Sequence, residues 1–146
     1  IRKKAREYGA TTGRPRRCGW FDAVAGRFSV QINGLTDIVL THLDVFDGFP
    51  SIKICTAYKF KDEVLTSFPS DVAILEKCQP IYEEIDGWQE SISEIRSFKD
   101  LPAGARNYVS RLEGLVSCPV SLVSVGPDRK QVIGRNLKSE VRDPKQ

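Results

Sequence analysis

Residues 11–22 read TTGRPRRCGWFD, and this stretch decides how the rest of the chain is understood. Thr11 and Thr12 can each donate and accept a hydrogen bond. Gly13 permits a positive φ or a close approach to a ligand. Pro15 fixes φ between Arg14 and Arg16, so both arginines start from a stiffened backbone. A guanidinium is planar, permanently charged and shaped for bidentate contact with carboxylate or phosphate. Composition alone also allows a plain basic surface turn. The residues that follow favour a built loop: Trp20 and Phe21 can pin it to a core, and Asp22 is placed to cap a helix.

Working outward, residues 2–8 read as the end of a helix, with Gly9 as its stop. On the other side, Val24, Phe28 and Ile32 recur at i, i+4 and i+8 between Asp22 and Asn33, with Phe21 and Ala25 alongside. That spacing predicts an amphipathic helix closed by Gly34. Residues 37–43 (DIVLTHL) read as a buried strand with Asp44 at its C-terminal end. Residues 44–50 form a loop, and residues 51–58 form a second strand alternating Ile52, Ile54, Thr56 and Tyr58. A mixed excursion over 59–79 holds a short helix across 71–78. Another strand runs over 80–86 and ends at Gly87 and Trp88. A helix follows from Leu101 and Pro102 to Gly114, with Ala105, Tyr108, Val109, Leu112 and Leu115 as its apolar face. A strand over 119–125 ends at Gly126 and Pro127, residues 131–133 pair briefly, and the charged tail frays. Strands alternating with helices give an α/β layer arrangement. There is no internal repeat.

The 146 residues have the length of one ordinary domain, and 40% apolar content suffices for a core. The net charge of +3 conceals a divided distribution. Residues 1–17 carry seven basic groups and one acidic, residues 18–127 carry nine basic and fifteen acidic, and the remainder is basic again. A sequence-independent nucleic-acid binder carries a broader basic face with interleaved aromatics. The pattern favours a local anion site instead. Cys18, Cys55, Cys78 and Cys118 make no C-x-x-C pair, and the single histidine, His42, has no Cys or other His near it, which argues against zinc. No apolar run approaches the length of a membrane span, and reduced cytoplasmic thiols are expected. The first residue is Ile and no Met occurs, so a fragment, a processed chain or a partial record is expected.

Three candidate sites fall where open α/β sheets place ligands. One is the arginine loop. Another is residues 41–44, where Asp44 can accept two parallel hydrogen bonds from a base edge offering two N–H donors, as guanine does; a plain strand-end cap is the competing reading. The last is residues 124–127, a backbone bend that could lie against a flat base, or an ordinary turn.

In this order the motifs resemble those of the adenylosuccinate synthetases, which join L-aspartate to IMP using GTP. The family's T-T-G-R-P-R-R loop and following G-W-[LF]-D correspond to residues 11–22, with Cys18 interposed. Its N-G motif corresponds to Asn33 and Gly34, and its T-K-L-D guanine reader to residues 41–44. A K-x-C-x-x-Y strand falls on Lys53, Cys55 and Tyr58, then P-x-Y-E on Pro80, Tyr82 and Glu83, and G-W on Gly87 and Trp88. L-P-x-x-A-x-x-Y falls on residues 101–108 and S-x-G-P-x-R on residues 124–129. His42 stands where the family usually has Lys, and residues 59–75 match less clearly.

The resemblance implies the C-terminal part of a larger P-loop-NTPase-like α/β fold, with a mixed sheet and flanking helices. Residues 1–8 would end a helix, 9–17 form the aspartate loop, 18–135 the α/β body and 136–146 a tail. Ala10, Thr11, Thr12, Gly13, Arg14, Pro15 and Arg16 would close over L-aspartate, Arg14 would also touch IMP, and Arg16 would reach the GTP phosphates. His42, Leu43 and Asp44 would line the guanine pocket, completed by backbone contacts from Ser124, Val125 and Gly126. The family's catalytic Asp and His, its glycine-rich phosphate loop and its Mg2+ ligands lie in an N-terminal portion that finds no counterpart here. No catalytic or metal residue is therefore expected in this chain, and by itself it is expected not to turn over. It would also expose a sheet edge and an apolar face. The family is homodimeric, and neither nucleic acid nor membrane is an expected partner. The competing readings are a non-catalytic remnant that binds a nucleotide or a protein, and a nucleic-acid module using the basic N-terminal segment.

Overall fold

A computed structural model describes residues 1–135. The segment that positions the site is built around Asp22. After the two-residue strand β1 (Phe21–Asp22), helix α1 (Ala23–Asn33) starts where Asp22 Oδ1 accepts from the N–H groups of Val24 and Ala25, both at 3.0 Å. These are two of the amides that a helix start leaves unpaired. The same carboxylate's other oxygen accepts from the Tyr58 hydroxyl at 2.5 Å, tying the cap to the sheet. The helix ends at Gly34, whose φ of 59° is the left-handed geometry that glycine adopts most easily.

The remaining elements are β2 (Ile38–Leu40), β3 (Phe49–Phe60), β4 (Glu63–Leu65), the single-turn helix α2 (Val72–Leu75), β5 (Gln79–Trp88), α3 (Ala103–Val116), β6 (Val120–Ser124) and β7 (Val132–Gly134). They form two mixed sheets where the sequence suggested one. In the larger sheet, β3 is central: β1 lies parallel to it, and β4 and β5 pair with it antiparallel. In the smaller sheet, β2 runs parallel to β6, which pairs antiparallel with β7. Helices α1 and α3 pack on each other, with α1 against β3 and α3 against β5. Gly26 allows the close helix contact, since a Cβ there would stand 3.1 Å from Val116 and 3.2 Å from Phe21.

Ile52 and Ile54 of β3, Leu43, Trp88, and the Ala105, Tyr108, Val109, Leu112 and Val116 stripe of α3 make the main core. A smaller cluster holds Val24, Cys55 and Tyr58. Several local expectations are corrected. Residues 2–6 form a hydrogen-bonded turn that ends at Arg6, with φ 51°, in place of a helix running to Gly9. The predicted α1 face fails in its second half, because Phe28 and Ile32 stay 37% and 64% exposed while Ala23, Val24 and the partly buried Val30 carry the packing. In β3 the register shifts between Cys55 and Ala57, so Cys55, Ala57 and Tyr58 are buried and Thr56 is not. The expected strand over 37–43 shortens to three residues, because residues 43–46 turn into a 3-10 helix. The tail over 136–146 lies outside the described residues.

Candidate functional site

The arginine loop is a small hairpin. Tyr8 and Pro15 form an antiparallel bridge, the Gly9 N–H donates to the Arg14 carbonyl at 2.8 Å, and the Arg16 N–H donates to the Glu7 carbonyl at 3.0 Å. Pro15 has no N–H to lose and sits where none is needed. At the tip, Gly13 takes φ 62° and donates to the Gly9 carbonyl at 2.8 Å. Residues 10–17, and with them Ala10, Thr11, Thr12, Arg14 and Arg16, are all exposed. The fixed stems thus carry a projecting tip of hydroxyls and guanidiniums. Arg16 pairs with Glu7 at 3.1 Å, and its carbonyl accepts from Arg2 Nε at 2.7 Å.

The second element is the turn at 42–44. His42 has φ 59°, and its N–H donates to the Ser124 hydroxyl at 3.0 Å, so the end of β6 holds the exit of β2. Leu43 is buried against the core at 1% exposure. Asp44 Oδ1 is buried and has no hydrogen-bond partner among the described residues. A native protein rarely leaves a carboxylate oxygen in that state, because desolvation without a partner costs about 1–3 kcal/mol or more for a charged group. The Gly126 backbone packs against the Gln131 side chain, and the buried Val125 donates its N–H to the Gln131 carbonyl at 2.9 Å.

Aromatic rings connect the two elements. Trp20, at the exit of the arginine loop, stacks on Phe46, at the exit of the 42–44 turn, with centroids 6.0 Å apart. Phe46 in turn meets the edge of Tyr108 at 5.4 Å. Between them opens a cavity of about 250 Å³, lined from the loop side by Glu7, Cys18 and Gly19 and from the other by Thr41, His42 and Leu43. The loop stem and the turn therefore flank one space. Arg14, Arg16 and Asp44 are not themselves among its lining residues; Arg16 approaches it through Glu7. A larger groove of about 570 Å³ lies between β5 and α3, lined by Glu84, Asp86, Asn107 and Arg111 among others, and contains none of the residues singled out from sequence.

The family is settled by direct comparison. A model of the adenylosuccinate synthetases matches residues 1–133. This chain belongs to the adenylosuccinate synthetase family. The adenylosuccinate synthetase of Geotalea uraniireducens is 55% identical over 133 residues, covering 91% of this chain and 31% of that protein. That of Clostridioides difficile is 52% identical over 138 residues, covering 94% of this chain and 32% of that protein. A solved structure of fully ligated adenylosuccinate synthetase from Plasmodium falciparum has a TM-score of 0.86 and 38% identity, covering 92% of this chain and 32% of that one. The chain thus spans about a third of the length of the curated relatives it matches.

Several supporting residues of this adenylosuccinate synthetase segment carried no readable sign in the sequence. Glu7 pairs with Arg16 only because the hairpin brings them together. Lys4 donates to the Asp47 carbonyl and lies over the Phe49 ring at 5.1 Å, fastening the N-terminal segment beside the turn. Asp47 receives the Trp88 indole N–H at 2.9 Å and the Ile92 N–H at 3.1 Å. Away from the site, Arg111 grips Glu83 through two hydrogen bonds of 2.8 and 2.6 Å and holds its carboxyl below the usual range. Burial, then the Asp22 charge, pushes the Cys55 thiol up. Among the described residues no cluster of His, Cys, Asp and Glu is suited to hold a metal. No described helix is long and apolar enough to cross a membrane.

Proposed function

We propose that this chain supplies the aspartate-gripping loop and the guanine-reading pocket for GTP-dependent ligation of L-aspartate to IMP, as the C-terminal part of a larger P-loop-NTPase-like fold. The observation that carries the reading is Asp44: a buried carboxylate oxygen without a partner among the described residues, next to His42 and Leu43, which share a cavity wall with the stem of the arginine loop. Guanine offers two N–H donors side by side, and adenine does not, so a carboxylate there selects guanine. His42 and Leu43 give the base its wall, and the backbone of residues 124–126 completes it.

Thr11, Thr12 and Arg14 hold the carboxylates of L-aspartate, with Gly13 and Pro15 shaping the loop around them and Ala10 at its start. Arg14 also touches IMP, and Arg16 reaches toward the GTP phosphates. In the reaction the 6-oxygen of IMP is phosphorylated, and the aspartate amine then displaces that phosphate. Fixed guanidiniums stabilise charge that develops on the transferring group, and removing one such contact costs about 3–4 kcal/mol of transition-state stabilisation. No cluster among the described residues fits the family's Mg2+. Turnover requires the other two thirds of the family's length, in a cytoplasmic and homodimeric enzyme.

The test is complementation. The chain is mixed with the complementary portion of a relative, and IMP conversion is followed with GTP and aspartate each present or omitted. Conversion that needs both, and that Arg14→Ala abolishes, is the expected outcome. A folded complex with no conversion overturns the reading in favour of a module that only binds.

A further inference from the structure

The parallel ladder between β2 and β6 ends at Leu40 and Val123. The next tie across the two strands is not a backbone pair: the His42 N–H donates to the Ser124 side-chain oxygen at 3.0 Å. That bond holds a residue with a φ of 59°, a conformation that non-glycine residues adopt only at a cost, even though His tolerates it better than most. Two residues further on stands Asp44, whose buried Oδ1 has no hydrogen-bond partner among the described residues. The burial of Leu43 fixes where the turn sits. Buried Val45 and Phe46, and the Val45 N–H donating to the His42 carbonyl at 3.2 Å, hold the far end of the turn, and the hydrogen bond from residue 42 ties its near end to β6.

We propose that Ser124 is a positioning residue whose hydroxyl, by accepting the His42 N–H, sets the direction in which Asp44 presents its carboxylate to guanine. The proposal rests on the guanine reading above and goes beyond it, because that reading uses only the backbone of residues 124–126. A serine oxygen can accept this bond and still carry a proton of its own. An alanine gives up the tie to β6, leaves the exposed His42 N–H to solvent and lets the left-handed residue relax. Asp44 then keeps its charge and loses its aim. The signature is therefore loss of selectivity more than loss of fold.

The experiment measures GDP and IDP binding to the full chain by calorimetry. IDP lacks the 2-amino group, so the ratio of the two affinities reads the alignment of Asp44 with that edge of the base. Ser124→Ala is expected to lower the GDP-over-IDP preference about fivefold, the worth of one ordinary hydrogen bond. Ser124→Thr, which restores the hydroxyl, stays within twofold of the unaltered chain. Ser124→Cys, close in size but a weak acceptor, falls as alanine does and serves should the alanine variant not fold. A folded Ser124→Ala or Ser124→Cys chain with unchanged preference overturns the proposal. Absence of any GDP preference in the unaltered chain overturns the guanine reading itself, and this proposal with it.

Discussion

Replacing Asp22 by alanine tests the junction that fixes the arginine loop to the body. One carboxylate does two jobs there: it accepts from the Val24 and Ala25 amides at 3.0 Å and from the Tyr58 hydroxyl at 2.5 Å. Loss of the helix cap costs about 1 kcal/mol. The Tyr58 hydroxyl, on a side chain only 5% exposed, would be left without its partner, which costs about 1–2 kcal/mol more. The total is about 2–3 kcal/mol, read from urea unfolding of the chain followed by circular dichroism. The two parts separate in a double-mutant cycle. In a Tyr58→Phe background no hydroxyl is stranded, and Asp22→Ala then costs only the cap, about 1 kcal/mol. An equal cost in both backgrounds, or a cost below about 0.5 kcal/mol in either, refutes the assignment of a shared role to this carboxylate.

Two further outcomes follow from the packing of β5 against α3. Glu83 is held below the usual carboxylate range by Arg111, so its stabilising contribution is present above that range and lost as pH falls through the depressed value. Glu83→Gln should therefore destabilise the chain at pH 7 by less than about 1 kcal/mol, since the pair is partly solvent-exposed, and the difference should vanish in acid; a difference that persists at low pH excludes the ion pair as its source. A Cβ at Gly104 would overlap the Gly87 carbonyl oxygen, whereas one at Gly114 meets nothing within 4 Å. Gly104→Ala should cost about 3 kcal/mol and Gly114→Ala should stabilise by about 0.8–1 kcal/mol, and thermal unfolding showing equal effects would contradict the packing described.

What the sequence made legible were features written in local chemistry. Asp22 and Gly34 bracket α1 where capping logic puts them. Pro102 opens α3, and four of its five expected core residues are buried, Leu115 giving way to Val116 for full burial. Partners distant in sequence were not legible. Phe28 and Ile32 have helical spacing, yet the close α1–α3 contact at Gly26 turns the helix toward Ala23 and Val30 instead. Thr56 alternates correctly on paper, but a register shift moves the buried face to Cys55 and Ala57. Division into two sheets depends on which edges pair, and alternation within a strand carries no such information. At the site, residue types were readable and couplings were not. The left-handed His42, its bond to Ser124 and the Glu7–Arg16 pair exist only once the hairpin and the smaller sheet have formed. Val39 and Leu122, partners across β2 and β6, remain 53% and 38% exposed.

The proposed reading of guanine by Asp44 is tested most closely by comparing GDP with ADP on the unaltered chain and on Asp44→Asn. At least a tenfold preference for GDP is expected, as two charge-assisted hydrogen bonds require, and its loss in the Asn variant. Equal affinity for the two nucleotides, or a preference that survives the substitution, would contradict it.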